Sequence, residues 1–159
     1  MILVTGGAGF IGSNLLAGLE SRGDHELAVC DHLGHGEKWR NIAKREIAAF
    51  IAPQRLSQFL DANRDKIEIV FHLGAVSSTT ETDTDLIVDS NFVLSQGLWD
   101  WCAAHGKRLI YASSAATYGD GAAGFDDDFT IKHLKTLQPL NAYGWSKHAF
   151  DRFVARQVA

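Results

Sequence analysis

Apolar residues in this chain fall into two kinds of segment. Short unbroken runs at residues 1–5 (MILVT), 26–30 (ELAVC), 68–73 (EIVFHL) and 108–113 (RLIYAS) have the length and composition of strands buried on both faces. A weaker run at 47–51 (IAAFI) makes a fifth. Between the runs, apolar residues recur at helical spacing. Ile11, Leu15, Leu16 and Leu19 mark a helix from Phe10 to about Ser21, with Gly23 as its stop. Pro53 suits the first turn of a helix reaching about Asn63. Ile87, Asn91, Leu94, Leu98 and Cys102 stripe a long helix over 84–105, closed by Gly106. A last helix over 142–158 buries the stripe Tyr143, Lys147, Phe150, Val154 and Val158. Residues 32–46, polar and carrying Gly34 and Gly36, are predicted loop with room for one helical turn. Residues 119–140, with Asp126 to Asp128, are predicted to be a solvated surface excursion.

Strands alternating with helices predict a parallel sheet with helices on both faces. Right-handed crossovers make this an α/β, doubly wound parallel sheet, in which a ligand lies beyond the carboxyl ends of the strands. With 159 residues, 46% of them hydrophobic and 2 prolines, the chain has enough apolar surface for a core and is not a disordered sequence. A net charge of −4 argues against a nucleic-acid partner. No apolar run reaches membrane-spanning length, and MILV lacks the basic flank of a signal peptide. Cys30 and Cys102 lie in apolar segments outside any CxxC, so neither a disulfide framework nor a metal site is expected, and a reducing cytoplasm is the simplest compartment.

Residues 5–14 read TGGAGFIGSN, between the first strand and the first helix. Gly7, Gly9 and Gly12 match G-x-G-x-x-G, and Gly6, Gly9 and Gly12 match G-x-x-G-x-x-G; either Gly6 or Gly7 makes the tight turn. Gly9 would let backbone approach a pyrophosphate, and Gly12 would let the helix pack on the strand. The amides opening the helix, at Phe10 and Ile11, would face the phosphates, aided by the helix dipole. Asp31 ends the second strand, where a carboxylate can hold an adenosine ribose. That acid favours NAD, but His32, Lys38 and Arg40 follow and any of them could pair with the 2′-phosphate of NADP, so the choice stays open.

Residues 143–147 read YGWSK. Tyr143 and Lys147 share a helical face that the apolar stripe buries. A tyrosine with a reference pKa of about 10 is a poor base at neutral pH, and a neighbouring ammonium favours its phenolate. The pair suits proton transfer at an alcohol losing hydride. Ser113 and Ser114 end the strand that starts at Arg108, at its carboxyl edge; Ser114 could hydrogen-bond the reacting oxygen beside Tyr143, and Ser113 reads better as a turn residue. Asn91 must be satisfied on its apolar stripe and could order the backbone or a water near Lys147, or be structural. Residues 77–80 (SSTT) also suit Ser/Thr turns and a cap for the long helix.

TGGAGFIGSN, HLGA at 72–75, YASSAATYG at 111–119 and PLNAYGWSK at 139–147 together resemble the extended short-chain dehydrogenase/reductase family, over the whole chain. Within it, GAVSSTTE at 74–81 followed by YASSAATYG is similar to the members that act on ADP-heptose. The resemblance implies a Rossmann-like fold and a nucleotide-sugar epimerase. One tightly bound NADP or NAD per subunit would oxidise C6″ to a ketone and return hydride to its other face; the heptose-specific members tend to use NADP. It implies catalytic roles for Tyr143, Lys147 and Ser114. Gly6, Gly7, Gly9, Phe10, Ile11, Gly12, Asp31, His32, Lys38, Gly74, Ala75, Val76, Ser77, Ser78 and Asn91 would contact the cofactor. It also implies a homo-oligomer at full length and a product used in lipopolysaccharide core synthesis.

Ala48 and Ala49 stand where many relatives carry an adenine-binding Asp. The chain ends at Ala159, whereas the family continues into a C-terminal substrate domain carrying a second catalytic base. Residues 1–159 are therefore expected to be the NAD(P)-binding domain, inactive alone. The competing readings are another epimerase, such as a UDP-hexose 4-epimerase, and a non-catalytic dinucleotide-binding module. A 4,6-dehydratase is disfavoured because Ala115 and Ala116 occupy the places of its acid/base pair and cannot transfer protons.

Overall fold

The computed structural model describes residues 1–23 and 26–159. Its contacts divide them into two compact units, Met1–Gly74 with Trp99–Tyr111, and Ala75–Leu98 with Ala112–Ala159.

The first unit holds a wholly parallel five-stranded sheet. Its strands are β1 (Ile2–Thr5), β2 (Leu27–Cys30), β3 (Ala49–Ile51), β4 (Ile69–His72) and β5 (Arg108–Tyr111), in the order β3-β2-β1-β4-β5. Helix α1 (Phe10–Ser21) follows β1, and α2 (Leu56–Ala62) follows a short 3-10 turn opened by Pro53. On one face Val4, Leu27 and Val29 pack with Leu16 and Leu19 of α1. The alternate residues Leu3, Ala28, Cys30 and Val70 are equally buried, so both faces are covered, as a doubly wound sheet requires. The chain winds outward from β1 to β3, then crosses back to β4, which makes the β1–β4 boundary a topological switch point. Burial pushes the Cys30 thiol up to about 12 and the Cys102 thiol up to about 11, so both stay protonated and act as apolar fillers.

The strands are shorter than their apolar runs, and β5 ends at Tyr111. Ser113 and Ser114 therefore do not end the strand. They leave the sheet, and Ser114 caps a 3-10 turn, Ala115–Tyr118. The loop over 32–46 contains its one turn, Lys38–Asn41.

The long helix predicted over 84–105 is interrupted. It runs as α3 (Thr84–Ile87), a π-helical turn over Val88–Val93, and α4 (Leu94–Ala104). At the wider turn Ser95 rather than Leu94 takes the inward place, Leu94 being half-buried, while Ile87, Asn91, Leu98 and Cys102 are buried as expected. The helix is capped by Asp83, whose carboxylate accepts from the Leu86 amide, and not by residues 77–80. Ser78 and Thr80 do form a local hydroxyl turn. The 119–140 excursion is not solvated throughout. It contains α5 (Ile131–Leu134), and Leu134 and Leu137 pack with Ala155 of α6 (Ala142–Gln157). Of the stripe expected on α6, Lys147 and Phe150 are buried, but Tyr143 and Val154 are only half-buried; the buried face starts at Gly144 and continues to Ala155, and Val158 lies past the helix end, exposed. Among the described residues no helix is long and apolar enough to cross a membrane.

Candidate active site

In the first unit the glycine loop lies at the switch point. Gly6 makes the tight turn: its φ is +68°, a left-handed value that disfavours side chains. A Cβ there would lie 2.6 Å from the Gly74 amide nitrogen, so the carboxyl ends of β1 and β4 meet backbone to backbone. At Gly12 a Cβ would lie 2.3 Å from the Gly6 carbonyl oxygen, which is how closely α1 seats on the loop. Gly9 opens α1 with no side chain capping it, and a helix's first amides have no acceptor within the helix. Phe10 and Ile11 stand exposed at this open end. The loop thus has the shape and the free donors that a pyrophosphate needs, and the residues present fit a dinucleotide.

Asp31, buried at the end of β2, faces the same loop. Its Oδ2 accepts the Ala8 amide at 2.8 Å. Its Oδ1 accepts its neighbour's amide, at His32, at 2.7 Å, and the Lys38 ammonium at 2.5 Å. Lys38 also donates to the His32 carbonyl at 2.9 Å, and Asn41 to the Ala8 carbonyl at 2.8 Å. The carboxylate is therefore fixed and charge-paired. His32 is exposed, its Nε2 3.3 Å from Gln54. Sequence reasoning missed one pair here. Thr5 Oγ1 lies 2.6 Å from His72 Nδ1 and accepts the Gly74 amide at 3.1 Å, tying the two strand ends together. A Thr and a His each ending a buried strand were the available signal.

In the second unit Asn91, fully buried within the π-turn, pins the backbone of the 75–78 segment. Its Oδ1 accepts the Val76 amide at 2.8 Å, and its Nδ2 donates to the Val76 carbonyl and to Ser146 Oγ, both at 3.0 Å. The Ser146 hydroxyl donates in turn to the Tyr143 carbonyl at 2.7 Å. Ala75 and Val76 are half-buried, Ser77 and Ser78 exposed.

Asn141 caps α6, and Tyr143 and Lys147 follow one turn apart. Lys147 is only 2% exposed, and its ammonium donates to the Ala112 carbonyl at 2.9 Å. Burial lowers its pKa from 10.5 to about 8, against the opposing pull of Asp151. Gly144 lets α6 approach the Ala116 carbonyl, which a Cβ would meet at 2.6 Å. Ser114 Oγ accepts the Ala116 amide at 3.2 Å, keeping its own proton available to donate. Ser113 is not simply a turn residue, because its hydroxyl donates to Asp151 at 2.6 Å. Asp151, four residues after Lys147, was overlooked because the stripe was followed through its apolar members. Among the described residues no group of His, Cys, Asp and Glu is placed to hold a metal ion.

A parallel doubly wound sheet with a glycine loop at its switch point defines a Rossmann-like α/β protein. Residues 2–159 match the NAD dependent epimerase/dehydratase family, and the chain belongs to it. It is 46% identical, over 99% of its length and 48% of the relative, to the ADP-L-glycero-D-manno-heptose-6-epimerase of Fusobacterium nucleatum subsp. nucleatum. Among solved structures it is similar to the ADP-L-glycero-D-manno-heptose-6-epimerase of Helicobacter pylori. The TM-score is 0.82 at 29% identity, covering 98% of this chain and 50% of that one. It is also similar to the UDP-glucose 4-epimerase of Thermus thermophilus in complex with NAD. There the TM-score is 0.76 at 31% identity, over 98% of this chain and 50% of that one. The chain spans about half the length of the curated relatives it matches.

Proposed function

We propose that residues 1–159 serve as the NAD(P)-binding domain of a nucleotide-sugar epimerase, and that the sugar nucleotide is ADP-glycero-manno-heptose, inverted at C6″. The observation that carries the chemistry is the buried Lys147 one helical turn after Tyr143. The likeness to heptose epimerases at 41–46% identity supports the choice of sugar.

Gly6, Gly7, Gly9, Gly12 and the amides of Phe10 and Ile11 hold the pyrophosphate. Asp31 holds the adenosine ribose, with His32 beside it. Lys38 offsets the charge that a 2′-phosphate would meet, so NADP and NAD both fit this cradle. Gly74 and residues 75–78, the latter ordered by Asn91, border the cofactor. An oxidised nicotinamide held there would supply a reversible hydride acceptor for the alcohol carbon. Tyr143 takes the hydroxyl proton as its phenolate, which the Lys147 ammonium stabilises, and Ser114 donates a hydrogen bond to the developing carbonyl oxygen. The whole protein would work in the cytoplasm as a homo-oligomer, and the residues described here would turn over no substrate alone.

The test is made in the full-length protein. Tyr143→Phe is expected to keep cofactor binding and to lose epimerisation of ADP-heptose; a fully active variant overturns the assignment. Turnover of UDP-galactose in place of ADP-heptose would move the reading to a hexose 4-epimerase, whose machinery uses the same three side chains.

A further inference from the structure

Asp151 lies one turn beyond Lys147 on α6 and is 6% exposed. A carboxylate this buried needs donors to offset its lost hydration. It finds the Ser113 hydroxyl at 2.6 Å. Four residues earlier on the same helix, the Lys147 ammonium donates to the Ala112 carbonyl at 2.9 Å. Two successive residues of the segment leaving β5 are thus held by two side chains one turn apart on α6. The next residue is Ser114, whose hydroxyl starts the Ala115–Tyr118 turn. Ser113, Ser114, Thr117 and Asp151 line one hollow of about 240 Å³.

We propose that Asp151 is a positioning residue. Its bond to Ser113 is the second of two anchors that fix the Ala112–Ser114 backbone, setting both the carbonyl that receives Lys147 and the direction of the Ser114 hydroxyl. A directional hydrogen bond selects one backbone position where an apolar pair would accept several. The same carboxylate draws the Lys147 ammonium toward its charged form, while burial drives the carboxyl's own pKa upward and Ser113, His148 and Lys147 pull it down. His148 is itself committed, its Nε2 lying 2.6 Å from the Leu134 carbonyl.

This role rests on the proposed reading of Tyr143, Lys147 and Ser114 as the proton-handling groups. The experiment compares full-length wild type with Asp151→Ala, Asp151→Asn, Ser113→Ala and the Ser113→Ala/Asp151→Ala double variant, measuring kcat, KM, cofactor occupancy and Tm. Asp151→Ala and Ser113→Ala are each expected to lower kcat roughly 10- to 100-fold at unchanged KM and occupancy, the size of effect that a displaced catalytic group produces. The double variant should be no worse than either single one, because both remove one interaction. Asp151→Asn keeps an acceptor oxygen and should restore kcat to within about threefold of wild type. The proposal alone is overturned by an unaffected Asp151→Ala, by an Asp151→Asn as poor as Asp151→Ala, by a double variant clearly worse than either single one, or by kcat falling only in step with occupancy and Tm. A Ser113→Ala variant of normal kcat does the same, even should Asp151→Ala fail to fold. A wild type inert on both sugar nucleotides overturns the reading of the site and this proposal with it.

Discussion

The two units prepare for chemistry in opposite ways. In the first, the candidate site is made of backbone: a left-handed Gly6, a Gly12 pressed against the loop, and an α1 whose start carries no side-chain cap. In the second, every helical segment that starts from non-helical chain is capped by a side chain: Asp83 for α3, Ser114 for the 3-10 turn, Thr130 for α5 and Asn141 for α6. Its candidate groups are held by directed side-chain bonds: Asn91 to Ser146, Ser146 to the Tyr143 carbonyl, Lys147 to the Ala112 carbonyl and Ser113 to Asp151. A helix start left open attracts an anion by its amides and dipole, and tolerates any ligand with the right charge. Side-chain bonds of this kind fix particular atoms and tolerate little. The first design suits holding a phosphate, the second suits moving a proton.

The strongest way to break this contrast is Gly12→Val. A Cβ there meets the Gly6 oxygen at 2.3 Å and the Gly7 Cα at 2.7 Å, both backbone, so nothing can rotate aside. Dinucleotide affinity is expected to fall more than about 100-fold, since the loop must open to admit the branch. Fluorescence titration with NADH and NADPH measures it, and hydrogen exchange in α6 should be unchanged. Normal binding would mean that the loop is not the cradle.

Lys147 tests the second design through its cost. Its pKa falls from 10.5 to about 8 on burial. Between those values the unfolded chain holds a proton that the folded chain has released, so stability rises with pH across that window and is flat below it. At neutral pH the buried ammonium then costs about 3 kcal/mol, partly offset by its bond to Ala112. Lys147→Met is expected to gain up to about 2 kcal/mol at pH 7, to flatten the rise between pH 8 and 10.5, and to lower kcat at least about 100-fold. In the wild type, kcat should decline as pH climbs past about 8 and the ammonium discharges. Urea unfolding at pH 7 and 10, with a kcat profile, decides it; a variant less stable at pH 7 would show the ammonium to be net favourable.

What the sequence made legible follows the same division. Gly6 and Gly12 announce themselves because backbone crowding permits few residue types, and Asp31 because a strand end is easy to locate. Tyr143 and Lys147 show because helical spacing is regular. The π-turn was hidden: its buried Asn91 bonds Val76 and Ser146, residues 15 and 55 positions away. Thr5 and His72 are each unremarkable until the β1–β4 register sets them opposite one another. Asp151 falls between Phe150 and Val154, where an apolar stripe draws the eye past it. Polar partners distant in sequence leave no periodic trace.

The smallest effect separates the two helix starts themselves. Asn141 Oδ1 accepts the Gly144 amide at 2.8 Å, a donor that α6 cannot otherwise satisfy. Asn141→Ala removes that bond next to Tyr143 and should cost about 1 kcal/mol of unfolding free energy. Gly9 holds no such bond, and it adopts φ −73°, which alanine accepts. Gly9→Ala breaks no side-chain bond and should cost less stability than Asn141→Ala, while its Cβ, 3.2 Å from the Gly6 oxygen, crowds the loop where a phosphate would lie. Chemical denaturation of both variants, paired with cofactor titration, should give the larger stability loss and no binding loss for Asn141→Ala, and a smaller stability loss with weakened binding for Gly9→Ala. Equal stability losses would mean that α1 is closed by something other than its ligand, and the contrast between an open and a closed helix start would fail.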